Sequence, residues 1–125
     1  MRYFLLLFFF LGFHTIQAQQ TLGFSQNLLI DNIEDTVPAN KVWKVVSILY
    51  SNPVANIQGG NQNDNIVVDG TNLTVRSSRS SNGGYNAVTW GVWEQSLPIW
   101  LPAGTRLRTG TNVYRISVLE FDVVP

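Results

Sequence analysis

Apolar and polar positions in this chain alternate in short segments separated by Gly, Pro, Asn and Ser. Beyond the N-terminal apolar run, no stretch of ten or more residues keeps helical spacing. Alternation with period two, in segments rich in Val, Ile, Thr and aromatic residues, predicts strands. Residues 21–30 read as a first strand. Residues 41–50, apolar on both faces after Lys44, read as a central strand ended by Asn52-Pro53. Residues 56–70 read as polar and turn-rich, holding only a short strand at Ile66-Val67-Val68 closed by the turn dipeptide Asp69-Gly70. Residues 73–76 resume the β pattern, residues 77–84 read as a Ser-rich loop, and strands follow at 85–93, 98–101 and 106–108. Residues 113–124 form the clearest strand. In it Tyr114, Ile116 and Val118 share one parity and Leu119, Phe121 and Val123 the other, which predicts a bulge or a change of sheet between Val118 and Leu119. About eight short strands predict an all-β fold: an antiparallel two-sheet, jelly-roll-like sandwich.

The N-terminus departs from this pattern. Met1-Arg2-Tyr3 is followed by an apolar run from Phe4 to Phe13 that stops at His14. One positive charge and a run too short to span a bilayer are the signature of a secretory leader. Ala18 is suited to cleavage, so residues 1–18 are read as a signal peptide and residues 19–125 as one domain exported to the periplasm or beyond.

One internal echo recurs. Val37-Pro38-Ala39-Asn40-Lys41 and Leu101-Pro102-Ala103-Gly104-Thr105 each place Asn or Gly, tolerant of positive φ, two positions after a proline. Both predict tight turns at hairpins of similar geometry. With these turns, the segments VPANKVWKVVSI, PIWLPAGTRL and ISVLEF resemble small secreted domains of Bacteroidota-type bacteria, in which PAGK-x-W and PIWLPAGT turns bracket a jelly-roll-like sandwich. The early turn departs from that pattern in carrying Asn40 where Gly is usual. The resemblance implies a fold and a secreted location, and no activity. The late turn also resembles those of cupin sandwiches, but metal-binding cupins need histidine ligands.

Composition narrows the chemistry. The chain has no Cys, and its single His and single Met, His14 and Met1, lie in the leader. The remaining domain therefore has no inventory for a Ser-His-Asp triad, a Cys-His pair, or a His- or Cys-based zinc site. No cofactor is expected. Loss of the leader removes one arginine and no acid, leaving seven basic against eight acidic residues, a net charge of −1. That balance predicts no nucleic-acid partner and no attraction to an anionic membrane, and it resists self-association little.

Candidate sites remain. Trp90 and Trp93, with Tyr85 and Trp100, are candidates for stacking on sugar rings; the alternative is that they pack in the core or an interface. Trp43 is assigned to the core. Residues 61–65 loosely follow the start of a calcium loop, making Asp64 and Asp69 candidate calcium ligands, but Ile66 stands where such a loop needs Gly, and a solvated loop is the favoured reading. Glu120 and Asp122 share a strand face at glycosidase-like spacing, against the simpler expectation of a solvated outer face. Arg76, Arg79, Arg106 and Arg108 are read either as contacts for an anionic polysaccharide or, preferably, as edge-strand protection. Asn72-Leu73-Thr74 is an N-glycosylation sequon, and Asp35-Thr36-Val37 resembles a three-residue O-glycosylation acceptor. The expected function is an exported, non-enzymatic module binding carbohydrate or a cell-surface glycan through exposed aromatics. The alternative is a structural subunit that forms a homo-oligomer, such as a trimer, through its sandwich faces.

Overall fold

In the computed structural model, the described residues are 20–51, 60–81 and 88–125; the predicted leader and Tyr85 lie outside them. Every regular element among them is a strand: β1 Thr21–Ile30, β2 Asp35–Thr36, β3 Lys41–Tyr50, β4 Gly60–Val68, β5 Thr71–Ser81, β6 Val88–Glu94, β7 Ile99–Leu101, β8 Arg106–Thr109 and β9 Val113–Val124. They form two antiparallel sheets, one in the order β1-β9-β3-β7 and the other β2-β8-β4-β5-β6. The pairs β1·β9, β2·β8, β3·β7 and β4·β5 nest inside one another. This is one long hairpin rolled into a sandwich, the jelly-roll arrangement, with β6 added at the edge of the second sheet beside β5.

The rolled hairpin explains the internal echo. The Pro38 turn carries the chain from β2 in one sheet to β3 in the other, and the Pro102 turn carries it back from β7 to β8. Both are corners between sheets, not the hairpins that the repeated motif suggested, because paired limbs of a rolled hairpin must change sheets together. Lys41 N–H donates to Pro38 O and Thr105 N–H to Pro102 O, each at 3.2 Å, so each proline sits one position ahead of the turn's two central residues. Asn40 and Gly104 then hold the required positive φ, 60° and 85°. The corners also bond to each other: Val37 N–H donates to Thr105 O and Gly104 N–H to Val37 O, both at 2.9 Å.

The core lies between the sheets, built from Ile30, Val37, Trp43, Val45, Ile66, Val75, Leu101, Leu107, Val113, Ile116 and Val118. Each fully buried aliphatic side chain in it contributes about 1.5–3 kcal/mol. Trp43 is in the core, as expected.

The structure corrects several local expectations. The Asn-rich segment is strand, not loop: β4 runs from Gly60 and pairs along its whole length with β5, which itself continues through the expected Ser-rich loop to Ser81. Ladder pairing satisfies the backbone that Asn and Ser would otherwise bind locally, so tertiary context overrides their turn preference. The phase change in β9 lies at Tyr114, not after Val118. Leu49 pairs with Arg115 and Tyr50 with Val113, leaving Tyr114 as the extra, exposed residue. Beyond that bulge Ile116, Val118 and Glu120 all face inward, so Glu120 is buried at 2% exposure, not solvated. Asp69 and Gly70, with φ of 50° and 79°, make the expected two-residue hairpin turn between β4 and β5.

Gly110 closes the end of β8 against β4. Its N–H donates to Asn65 O at 3.0 Å, and a Cβ placed there would stand 2.6 Å from that same oxygen. Gly110→Ala should lower stability by about 1–3 kcal/mol, read as a fall in the urea midpoint. Gly23→Ala on β1, where a Cβ meets nothing within 4 Å, should leave the midpoint unchanged within about 0.5 kcal/mol.

Candidate functional site

Strand alternation places the tryptophans on different surfaces. Trp43 points inward. Trp100, on β7, is 46% exposed on the outer face of the four-stranded sheet, where it packs on Phe121 with ring centroids 5.8 Å apart. Trp93, on β6, is 52% exposed on the outer face of the five-stranded sheet; its cross-strand partner is Ser77, next to the inward-facing, buried Ser78. The expected grouping of Trp93 with Trp100 therefore does not form. Trp90 is the extra residue of a bulge in β6, where Arg79 pairs with Gly91 and Ser80 with Thr89; its side chain, like Tyr85, lies outside those described.

An open groove of about 440 Å³ runs beside Trp93, lined by Ser77, Arg79, Gly91, Val92 and Trp93. Two cross-strand rows run through it and on to β4: Gly91, Arg79 and Asn61, then Trp93, Ser77 and Asn63. Ser77 Oγ donates to Asn63 Oδ1 at 2.8 Å, which orients that amide on the same surface. A Cβ on Gly91 would meet nothing within 4 Å, so the absent side chain leaves a dip next to the indole. The groove thus combines an aromatic face, the apolar Val92, a hydroxyl and a guanidinium, with the Asn61 and Asn63 amides on the adjoining strand, and none of its lining residues is acidic. Such a surface can stack on a flat apolar face and exchange hydrogen bonds with hydroxyls or an anionic group. Trp93 was legible in the sequence. Ser77, Arg79 and the Asn61 and Asn63 amides were not grouped with it, because they gather only through pairing of β4, β5 and β6.

The candidate acids have other roles. Asp64 is buried; its carboxylate accepts hydrogen bonds from Arg76 Nε and, at 2.8 Å, from Gln62 Nε2. Arg76 lies 3.7 Å above the ring centroid of Tyr50 on the opposing sheet. This removes Asp64 as a calcium candidate and Arg76 as edge protection: an inward carboxylate at this position needs a paired cation. Asp69 sits in the β4–β5 turn and accepts from Arg106 N–H at 2.9 Å. Among the described residues, no group of three or more His, Cys, Asp or Glu is placed to hold a metal ion. Arg106 and Arg108 lie on β8, an interior strand rather than an edge, and Arg106 pairs with Glu34 at 3.3 Å. Thr36 is exposed on the two-residue β2, and Asn72 is exposed at the start of β5.

Glu120 is enclosed by donors. Trp43 Nε1 reaches it at 2.8 Å, Gln26 Nε2 at 3.1 Å and Ser25 Oγ at 3.4 Å, with the Lys41 ammonium 3.5 Å away and also bridging to Asp122. A bulge in β1 at Ser25, between the Phe24 and Gln26 pairings, turns both polar side chains toward the carboxylate. Burial pushes the Glu120 carboxyl up, but the Trp43 and Gln26 hydrogen bonds and the Lys41 charge outweigh it, so it titrates below the ordinary value of 4.5. Its lone pairs are spent inside the fold, and the glycosidase-like spacing to Asp122 reflects a structural network.

Comparison with family models, with curated proteins and with solved structures finds no match to this chain. The class is defined by fold alone: an antiparallel two-sheet β-sandwich.

Because folding lowers the Glu120 pKa, the carboxylate stabilises the native state above its unfolded value, and that contribution is lost as pH falls through the native one. The urea midpoint of the wild type should therefore drop as pH is lowered below about 4.5. Glu120→Gln should lower stability at pH 7 by about 1–3 kcal/mol and flatten the acid drop; an acid slope equal to that of the wild type would remove Glu120 as its source.

Proposed function

We propose that this protein is an exported, non-enzymatic module that binds carbohydrate through the groove at Trp93. The observation that carries the reading is a half-exposed indole beside a glycine dip, in a groove completed by Val92, a hydroxyl and one guanidinium, with the Asn61 and Asn63 amides on the adjoining strand. Pyranose rings present an apolar face that an indole covers and a rim of hydroxyls that amides can read. Arg79 adds a planar cation suited to a carboxylated or sulfated sugar. The reading is non-catalytic because the buried Glu120 and Asp64 are committed to neighbouring donors and the groove lining holds no acid–base pair. Export rests on the leader and on the resemblance to secreted bacterial sandwiches.

A glycan array tests the proposal. Trp93→Ala should weaken binding at least about tenfold, the loss of one aromatic contact of about 1.4 kcal/mol, without changing the urea midpoint by more than about 0.5 kcal/mol. Arg79→Gln should reduce binding of acidic glycans more than neutral ones. Binding unaffected by Trp93→Ala, or no binding across neutral and acidic glycans, would overturn the assignment.

A further inference from the structure

The outer face of the four-stranded sheet differs from the Trp93 surface. Its cross-strand rows place Leu22 beside Val123, Phe24 beside Phe121 and Val42, and Leu119 beside Lys44 and Trp100. Phe24 meets Phe121 edge-on at 6.1 Å, and Trp100 packs on Phe121 from the other side. The aromatic row therefore crosses the sheet from one edge to the other. The described residues leave it open: Phe24 is 61% and Leu22 47% exposed. The one charged side chain inside the patch is Lys44, whose ammonium lies 5.1 Å from the Trp100 ring centroid. Asn27, Ser47 and Ser117 border the patch on one side, with Leu29 exposed in the row of the two serines and Leu49 exposed beyond it beside Arg115.

We propose that this face binds a second copy of the same chain, outer sheet to outer sheet. The area is the first argument. Side chains of this size present about 150–250 Å² when bare, so the half-exposed Leu22, Phe24 and Trp100 with their partly exposed neighbours leave on the order of 400 Å² of contiguous apolar surface. That is the size of patch that marks an interaction surface, and about half of the roughly 800 Å² each partner contributes to a standard interface. The bordering Asn and Ser side chains, with Leu29 and Leu49, extend it toward that size, giving an apolar centre and a partly polar surround. Charge is the second argument. With a net charge of zero for the whole chain, or −1 without the leader, copies do not repel one another, and an anionic bilayer exerts no pull. The aromatic row carries one charged side chain, Lys44, and Arg115 at the margin is paired with Asp31, so each patch can meet its own image across a two-fold axis. The Trp93 groove, on the other sheet, stays open, so association would present two grooves facing away from each other.

The test is sedimentation velocity and light scattering of the full chain, purified as the host processes it, across about 1–100 μM, the range in which a standard-size interface assembles. A mass of twice the protomer is expected. Phe24→Lys and Trp100→Lys should each raise the dissociation constant at least about tenfold, while Trp93→Ala, on the opposite surface, should leave it unchanged. Both lysines replace exposed side chains, and an unchanged urea midpoint at a concentration where all forms are monomeric would confirm that each variant folds. A monomer throughout the range overturns the proposal. So does an oligomer that persists in both lysine variants, or a monomer that binds neutral lipid vesicles through Phe24. Loss of self-association with retained glycan binding would leave the Trp93 reading intact.

Discussion

The fold depends on one constraint: two limbs of a long hairpin must leave one sheet and enter the other at the same place. Val37 sits at that crossing, with its N–H and C=O both bonded to the neighbouring corner and its side chain buried. If the limbs changed sheets at different points, the nested pairs β1·β9, β2·β8 and β3·β7 could not all form. The two proline-containing turns are alike because they solve the same geometric problem. Each needs a left-handed residue to reverse the chain, and Asn40 and Gly104 supply it at low cost.

Polar groups inside the sandwich follow from that packing. Rolling the hairpin brings Glu120 inward at the end of β9, and the fold answers with an indole, an amide, a hydroxyl and an ammonium gathered from β1 and β3. Asp64 is answered by Arg76, which in turn stacks on Tyr50 of the other sheet. A buried carboxylate without such partners would be costly, and with them it locks neighbouring strands in register. These networks absorb the acids that sequence spacing offered as catalytic or calcium-binding candidates.

The outer surfaces divide the remaining chemistry. The strand outside the nested hairpin, β6, brings Trp93 and Gly91 to a polar surface, whereas the four-stranded sheet presents aromatics and leucines. A sugar-binding surface needs hydrogen-bonding groups around its aromatic ring; a protein interface needs contiguous apolar area. The molecule carries a polar surface around an exposed indole and a contiguous apolar face, on opposite sides of one core.

The all-β class, the extents of β1, β3 and β9, the two tight turns, the core position of Trp43 and the absence of cysteine were readable from residues alone. Each rests on local pattern or on inventory, and neither changes with the partner a strand finds. What only the tertiary structure decided was pairing and facing: that the Asn-rich segment is a strand, that the echoed turns are corners between sheets, that Glu120 points inward, and that Trp93 and Trp100 look away from each other. A single-residue bulge, at Tyr114 or Ser25, reverses which parity faces the core. Its position is set by the neighbouring strands, so no periodicity within one segment can reveal it.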